Sequence, residues 1–241
     1  MRYFILLAAI SACALGASDY YGGFLNLLAP VNGLSQGSFE LQVNHRFFGE
    51  AFKNDPLENF FGLDNGANVG FEARYFATGD LYFSYGHTRL LHGNRFSAGW
   101  VEPELGPVSL EVRAGYEAVK PSSQEDWDGG LTAEAGVSAM LLQDRLRPVV
   151  NFAYDGYLEE GGPGFGLEFY LMENMSLMGE YFPAAAEGAI EDCFSMGARY
   201  STWGHQFIVA LTNSHGIGPR GQLAGAADAD LSMAFTIRRV L

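Results

Sequence analysis

Serines and histidines are the first residues in this chain with the makings of a nucleophilic pair. His45 and His87 share one side-chain phase of their alternating segments. Ser84, Ser97, Ser109, Ser138, Ser195 and Ser232 fall in the opposite phase. A serine nucleophile needs its base within hydrogen-bond reach and a third group to orient that base. Along an extended chain, opposite phases point to opposite faces, so ester hydrolysis by such a pair is disfavoured. Asn213, Ser214 and His215 adjoin in "TNSHG", but neighbours on a strand diverge. That stretch predicts a turn held by side chain-to-backbone hydrogen bonds. "FGLDNGA" supplies Asp64 and Asn65 without the further oxygen ligands of a calcium loop. The five histidines lack zinc-type spacing. Neither a metal nor a cofactor is expected.

A larger set of ionisable residues falls in one phase. It holds the acids Glu40, Glu72, Glu111, Glu117, Glu134, Asp155, Glu168, Glu180 and Asp230, and the cations Arg46, Arg74, Arg95, Arg113, Arg199 and Arg238. The other phase is almost free of charge. It carries Phe39, Leu41, Val43, Phe71, Tyr75, Phe83, Phe96, Trp100, Val112, Tyr116, Val150, Phe152, Phe165, Leu167, Phe207, Val209, Phe235 and Ile237, among others. Rings of charge select ions in a pore, and in a narrow cylinder they also pair and fill it.

Twelve segments of period-two alternation position these residues. They are 38–47, 67–77, 81–88, 95–101, 108–119, 131–141, 147–157, 164–172, 175–182, 193–201, 205–213 and 230–239. Several have the length a tilted strand needs to cross a bilayer. The connections alternate too: Thr78–Asp80, "LQDRL", "EN" and "TWG" are short, whereas 48–66, 120–130, 183–192 and 214–229 are long. That sorting is expected of a meander whose two ends face different compartments. The bulky phase is too large to point inward, while charge, glycine and serine leave a narrow lumen. The reading is therefore all-β: a single closed antiparallel up-and-down transmembrane barrel of about 12 strands, its apolar face on lipid. Glu40, Arg46, Glu72, Arg74, Glu111, Arg113, Glu134, Glu168, Glu180, Arg199 and Arg238 are expected to line its pore.

The chain has 241 residues and a formal net charge of −14, which argues against nucleic acid as a partner. Residues 1–17 read as a signal peptide, with Arg2, an apolar stretch and small residues before the cut. "ISAC" ending at Cys13 offers lipidation as the alternative. Residues 18–37 form an N-terminal segment that either enters the lumen, caps its mouth or hangs as a tail; residues 38–241 form the barrel. Beyond residue 17 no apolar run reaches helix-spanning length.

"NHRFFGE" (Asn44–Glu50), "FFGLDNGANVGFEARY" (Phe60–Tyr75), "GHQFIVALTNSHGI" (Gly204–Ile217) and the closing "DADLSMAFTIRRVL" resemble an uncharacterised family of bacterial outer-membrane β-barrels. The resemblance implies fold and outer-membrane location and brings no established activity. The last strand also resembles the C-terminal signal read by barrel-assembly machinery, although it ends in Leu241 rather than an aromatic. Outer-membrane lipid and lipopolysaccharide are the implied surroundings. Acidic loop residues Glu58, Asp64, Glu125, Asp126, Asp128, Glu159, Glu160, Glu187, Glu191 and Asp192 either bridge lipopolysaccharide through divalent ions or keep the loops solvated. Three functions follow: a narrow porin-like channel for small solutes or ions, a closed structural or surface-interaction barrel, and, least favoured, an outer-leaflet lipid hydrolase.

Overall fold

The computed structural model describes residues 23–241 except 31–33, 54–56, 58–59, 106–107, 123 and 187. The expected leader, Cys13, Glu58 and Glu187 lie outside the described residues. Twelve strands form one sheet: β1 (Phe39–Glu50), β2 (Ala67–Phe76), β3 (Leu81–Thr88), β4 (Asn94–Leu105), β5 (Val108–Val119), β6 (Asp128–Ala139), β7 (Leu146–Asp155), β8 (Glu160–Met172), β9 (Met175–Phe182), β10 (Cys193–Thr202), β11 (His205–Thr212) and β12 (Ser232–Val240). Each pairs antiparallel with the next. The sheet closes where Glu40, Gln42 and Asn44 of β1 stand opposite Val240, Arg238 and Thr236 of β12. Closure leaves no edge, so every wall amide finds a partner where water is absent.

The two faces are inverted relative to a water-soluble barrel. Phe96, Val150, Phe152, Leu167 and Val209 are each about half exposed or more, and Phe96 reaches 62%. Glu40, Glu111, Glu168 and Arg46 are at 1% or below. An exterior of bare aliphatic and aromatic side chains is stable only against hydrocarbon, because lipid removes it from water.

Short connections such as Glu173–Asn174 and Trp203–Gly204 gather at one end, and long ones at the other. The β7–β8 link departs from the alternation: it has only residues 156–159. Asp155 Oδ1 accepts hydrogen bonds from the amides of Tyr157 and Leu158, each at 3.0 Å, and tightens that turn.

Boundaries shift where glycine hides the alternation. β6 begins at Asp128 rather than 131, and β8 at Glu160 rather than 164, through Gly129–Gly130 and Gly161–Gly162. Ladder bonds need only backbone, so the strands continue where side chains give no phase. β12 starts at Ser232, which corrects the assignment of Asp230 to the inward set. Its side chain is 56% exposed and lies 3.9 Å from Lys53. A register shift between Arg46 and Glu50 of β1 ends regular pairing there.

The β11–β12 connection, residues 213–231, folds back into the long-loop mouth and carries a short helix, α1 (Pro219–Leu223). Arg220, Gln222 and Leu223 of α1 are buried, and the helix rests against β7 and β8.

Val150 sits mid-strand on the apolar face. Val150→Arg should lower unfolding free energy in phospholipid vesicles by about 2–4 kcal/mol, read from reversible urea titration. A change within about 0.5 kcal/mol would remove this face from hydrocarbon.

Candidate functional site

Residues 23–30 run through the lumen as an irregular strip, bent at residues 25–27, with no sheet partner. An isolated backbone in a closed cylinder must satisfy its amides and carbonyls from side chains. The wall supplies them. Arg238 donates to the carbonyls of Gly23 and Phe24, the latter at 2.5 Å. Arg46 Nη2 donates to Leu25 O at 2.9 Å and to Asn26 Oδ1 at 3.2 Å. Gln222 of α1 reaches Asn26 O at 2.5 Å, Asn151 reaches Leu28 O at 3.3 Å, and Arg147 reaches Pro30 O at 2.5 Å. In the other direction, Glu180 accepts the amides of Leu25 at 2.5 Å and Asn26 at 3.1 Å.

The strip approaches one side of the wall. Phe24, Leu25, Leu27 and Ala29 form an apolar cluster with Val149, Met178, Phe182, Ile208 and Ala234, all buried. Two wall glycines allow this. A Cβ at Gly136 would lie 2.1 Å from Leu28 O, and one at Gly166 would lie 2.4 Å from Leu27 Cδ1. No side chain fits either place.

The opposite side of the lumen is ionic. Arg113 bridges two carboxylates: Nη1 meets Glu72 Oε1 at 2.8 Å, and Nε meets Glu134 Oε2 at 2.7 Å. Arg74 Nε donates to Glu72 at 3.0 Å and stands 3.7 Å from both Glu40 and Glu111. Arg95 approaches Glu72 at 3.4 Å. The Tyr82 hydroxyl donates to Glu111 at 2.6 Å. A second network, on the β7–β10 flank with the apolar cluster, joins Glu168 to Arg199 at 2.5 Å, to Arg147 at 3.7 Å, and to the Tyr170 hydroxyl at 3.0 Å. In low dielectric an unpaired charge is strongly disfavoured, and the alternation of sign along the wall answers that constraint.

Three cavities with shared linings lie along the ionic side. The outermost, about 240 Å³, opens at the long-loop mouth between Asn68, Thr88, Leu90, Glu117, His215 and Arg220. A second, about 20 Å³, follows past Glu117, Thr88, Arg95 and Glu72. The deepest, about 30 Å³, lies between residues 24–28 of the strip and Arg74, Arg113 and Arg238. Ile217, from the infolded β11–β12 connection, lines all three. Burial holds the His215 imidazole below the ordinary histidine range, against the opposing pull of Asp228. The outer cavity thus carries a neutral ring at pH 7.

All eleven residues put forward from the sequence as pore-lining are buried in this interior. Of these, Glu72, Arg74, Arg113 and Arg238 face the deepest cavity, while Arg46, Arg238 and Glu180 hold the strip. Arg147 and Arg220 were not anticipated. Arg147 shares the phase of Asn151 and Asp155, which is the signal that could have found it. Arg220 lies in the infolded loop, where no periodicity marks it. Of the "TNSHG" side chains, Asn213 binds backbone, with Nδ2 donating to Asp192 O at 2.7 Å and Oδ1 accepting from Phe194 N at 2.8 Å, while His215 contacts the Ser232 hydroxyl at 3.2 Å. His45 stacks on Phe235 with ring centroids 4.2 Å apart, and His87 contacts Asn94 at 3.1 Å.

No family model and no curated protein matches the sequence. Among solved structures, the KdgM porin aligns over 84% of this chain and 98% of its own, with TM-score 0.54 at 9% identity. Omp33 of Acinetobacter baumannii aligns over 86% and 99%, with TM-score 0.46 at 8% identity. Outer membrane phospholipase A from Escherichia coli aligns over 85% and 91%, with TM-score 0.43 at 8% identity. The first supports the fold, a closed barrel of the outer-membrane type. The other two lie below the level at which an alignment carries an argument.

Arg113→Met leaves Glu72 and Glu134 buried without their shared cation. It should cost about 3–5 kcal/mol of unfolding free energy. Adding Glu134→Gln should return part of that loss in the same urea titration, because one orphaned charge is removed.

Proposed function

We propose that this protein is a narrow channel of the bacterial outer membrane that passes small solutes or ions along the ionic side of its lumen. The observation that carries the reading is the run of three cavities from the long-loop mouth, past Ile217, to Arg113 and Arg238 beside the strip. The strip occupies the apolar side and narrows the bore, so only small solutes fit. The long-loop end faces the exterior, as long loops do in barrels of this type. There, Glu125, Asp126, Asp128, Glu191 and Asp192 are exposed and suited to meet lipopolysaccharide phosphates through divalent cations. During insertion, β12 would be the strand read by barrel-assembly machinery.

A second reading, a closed barrel acting as a structural or surface-interaction module, is favoured by the strip itself. Six side chains hydrogen-bond it and an apolar cluster packs it, and each contact resists its departure. Lipid hydrolysis has little support. His45 is committed to stacking on Phe235. The contact of His215 with Ser232, at 3.2 Å, lies within the barrel mouth rather than on the lipid face.

Single-channel recording in planar bilayers separates the two main readings. The channel reading expects small conductance steps from the wild-type protein and larger ones from Gly136→Val, whose side chain cannot coexist with the carbonyl of Leu28. A silent wild type with a conducting Gly136→Val means that the strip shuts the bore. Silence from both correctly folded proteins would sink the channel reading.

A further inference from the structure

The outer cavity has a feature that transit alone does not require. Glu117, at the external end of β5, and Arg220, from α1, line it with side chains 8% and 6% exposed. Their nearest approach, Nη1 to Oε1, is 3.7 Å, beyond hydrogen-bond reach. Asp155 holds Arg220 from the other edge, with Oδ1 3.3 Å from Nε and Oδ2 3.1 Å from Nη2. Arg220 and Asp155 therefore balance each other. Nη1 is left without a hydrogen-bond partner, and it meets Glu117 only as an ion pair at 3.7 Å, with Arg95 opposite Glu117 on β4. Two buried, oppositely charged groups that face one cavity without bonding each other present a donor and an acceptor to whatever enters.

A Cβ at Gly93 would lie 2.7 Å from Glu117 Oε1 and 2.6 Å from Thr88 Oγ1. Glycine there leaves the carboxylate and the hydroxyl accessible together. Leu90, Leu91, Ile217, Ala224 and Ala226 give the lining an aliphatic part, beside the polar Asn68, Asn213 and His215. At about 240 Å³ the cavity falls below the range of about 300–1,000 Å³ typical of drug-sized ligand sites.

We propose that this vestibule binds a small zwitterion with an aliphatic body, an α-amino acid such as leucine. Its ammonium meets Glu117 and Thr88, its carboxylate meets Nη1 of Arg220, and its side chain lies against Leu90, Leu91 and Ile217. Simple ions of either sign fit less well. An anion meets Glu117 and Asp155, and a cation without a carboxylate leaves Arg220 Nη1 unbonded. The proposal rests on the channel reading only in naming what would wait above the Ile217 constriction; the site itself stands on Glu117 and Arg220.

The test is ligand titration by calorimetry on the full chain refolded in detergent, with L-leucine, isovalerate, isoamylamine and glucose as probes. Leucine should bind, and removing either charged end should weaken binding by about tenfold or more, the loss expected for one charge-assisted bond. Glu117→Gln, nearly isosteric, should weaken leucine and isoamylamine and leave isovalerate unchanged. Ile217→Ala should weaken leucine without altering that ranking, and both variants should keep the heat-modifiable gel shift of a folded barrel. Equal affinity for isovalerate, a preference for glucose, no saturation by leucine, or indifference of leucine to Glu117→Gln would each overturn the proposal. Conductance is recorded in parallel. A conducting barrel that ignores leucine loses the site and keeps the channel, whereas a silent barrel that binds leucine keeps the site and loses the channel.

Discussion

A charge enclosed in a cylinder surrounded by hydrocarbon cannot borrow water, so it must be matched by something the chain itself provides. That constraint organises the interior. Arg113 is matched by Glu72 and Glu134, and Glu168 by Arg199 and the Tyr170 hydroxyl. Where no carboxylate stands opposite, the match is a backbone carbonyl. Arg46 and Arg238 donate to residues of the 23–30 strip, as does Arg147, which also stands 3.7 Å from Glu168. The strip and the arginines solve each other's problem. An irregular backbone brings unpaired carbonyls, and the wall brings guanidinium groups whose donors need acceptors.

This exchange divides the lumen. The apolar side chains of the strip need a dry surface, and β7 to β12 supply it with Val149, Met178, Phe182, Ile208 and Ala234. The strip is drawn to that side because its carbonyls and its leucines are satisfied together there. The remaining bore follows β1 to β5, where ion pairs line it and the cavities lie. Plug and path are thus two consequences of one asymmetry in the wall: β7 to β12 carry inward the aliphatic residues that dock the strip, beside a Glu168–Arg199 network of their own, whereas β1 to β5 carry mostly charge.

Much of the barrel was legible in the sequence because each strand separates two unlike environments. Phe71, Ala73 and Tyr75 alternate with Glu72 and Arg74 for that reason, and the period survives in nearly every strand. It fades at Gly129–Gly130 and Gly161–Gly162, where there is no side chain to report a face. The wall carboxylates and arginines were visible for the same reason, and Arg147 was within reach on the phase of Asp155. Asp230 misled because alternation continued past the point where pairing with β1 stops. The arrangement within the lumen was not legible. The strip is bound by residues from β1, β7, β9, β12 and α1, and nothing local in "FLNLLAP" names such distant partners. Arg220 sits in a connection whose infolding depends on the width of the finished barrel.

Arg113 at mid-depth and Arg220 at the mouth differ in how closely they meet their carboxylates. At mid-depth, Arg113 has donors spread over two carboxylates at 2.5–2.8 Å. At the mouth, Glu117 and Arg220 stop 3.7 Å apart although both are buried. Closing that gap would take only a small movement if pairing were all that governed it. The helix is held back from the other side: Asp155 takes one edge of the guanidinium, and the Tyr157 ring lies 4.6 Å from its centre. The gap is therefore imposed by the framework of β7 and α1 rather than left by loose packing. A framework that braces the Arg220 guanidinium from one edge and leaves its Nη1 without a bond at the entrance distinguishes a place where a polar guest can be received from a wall that only needs to stand.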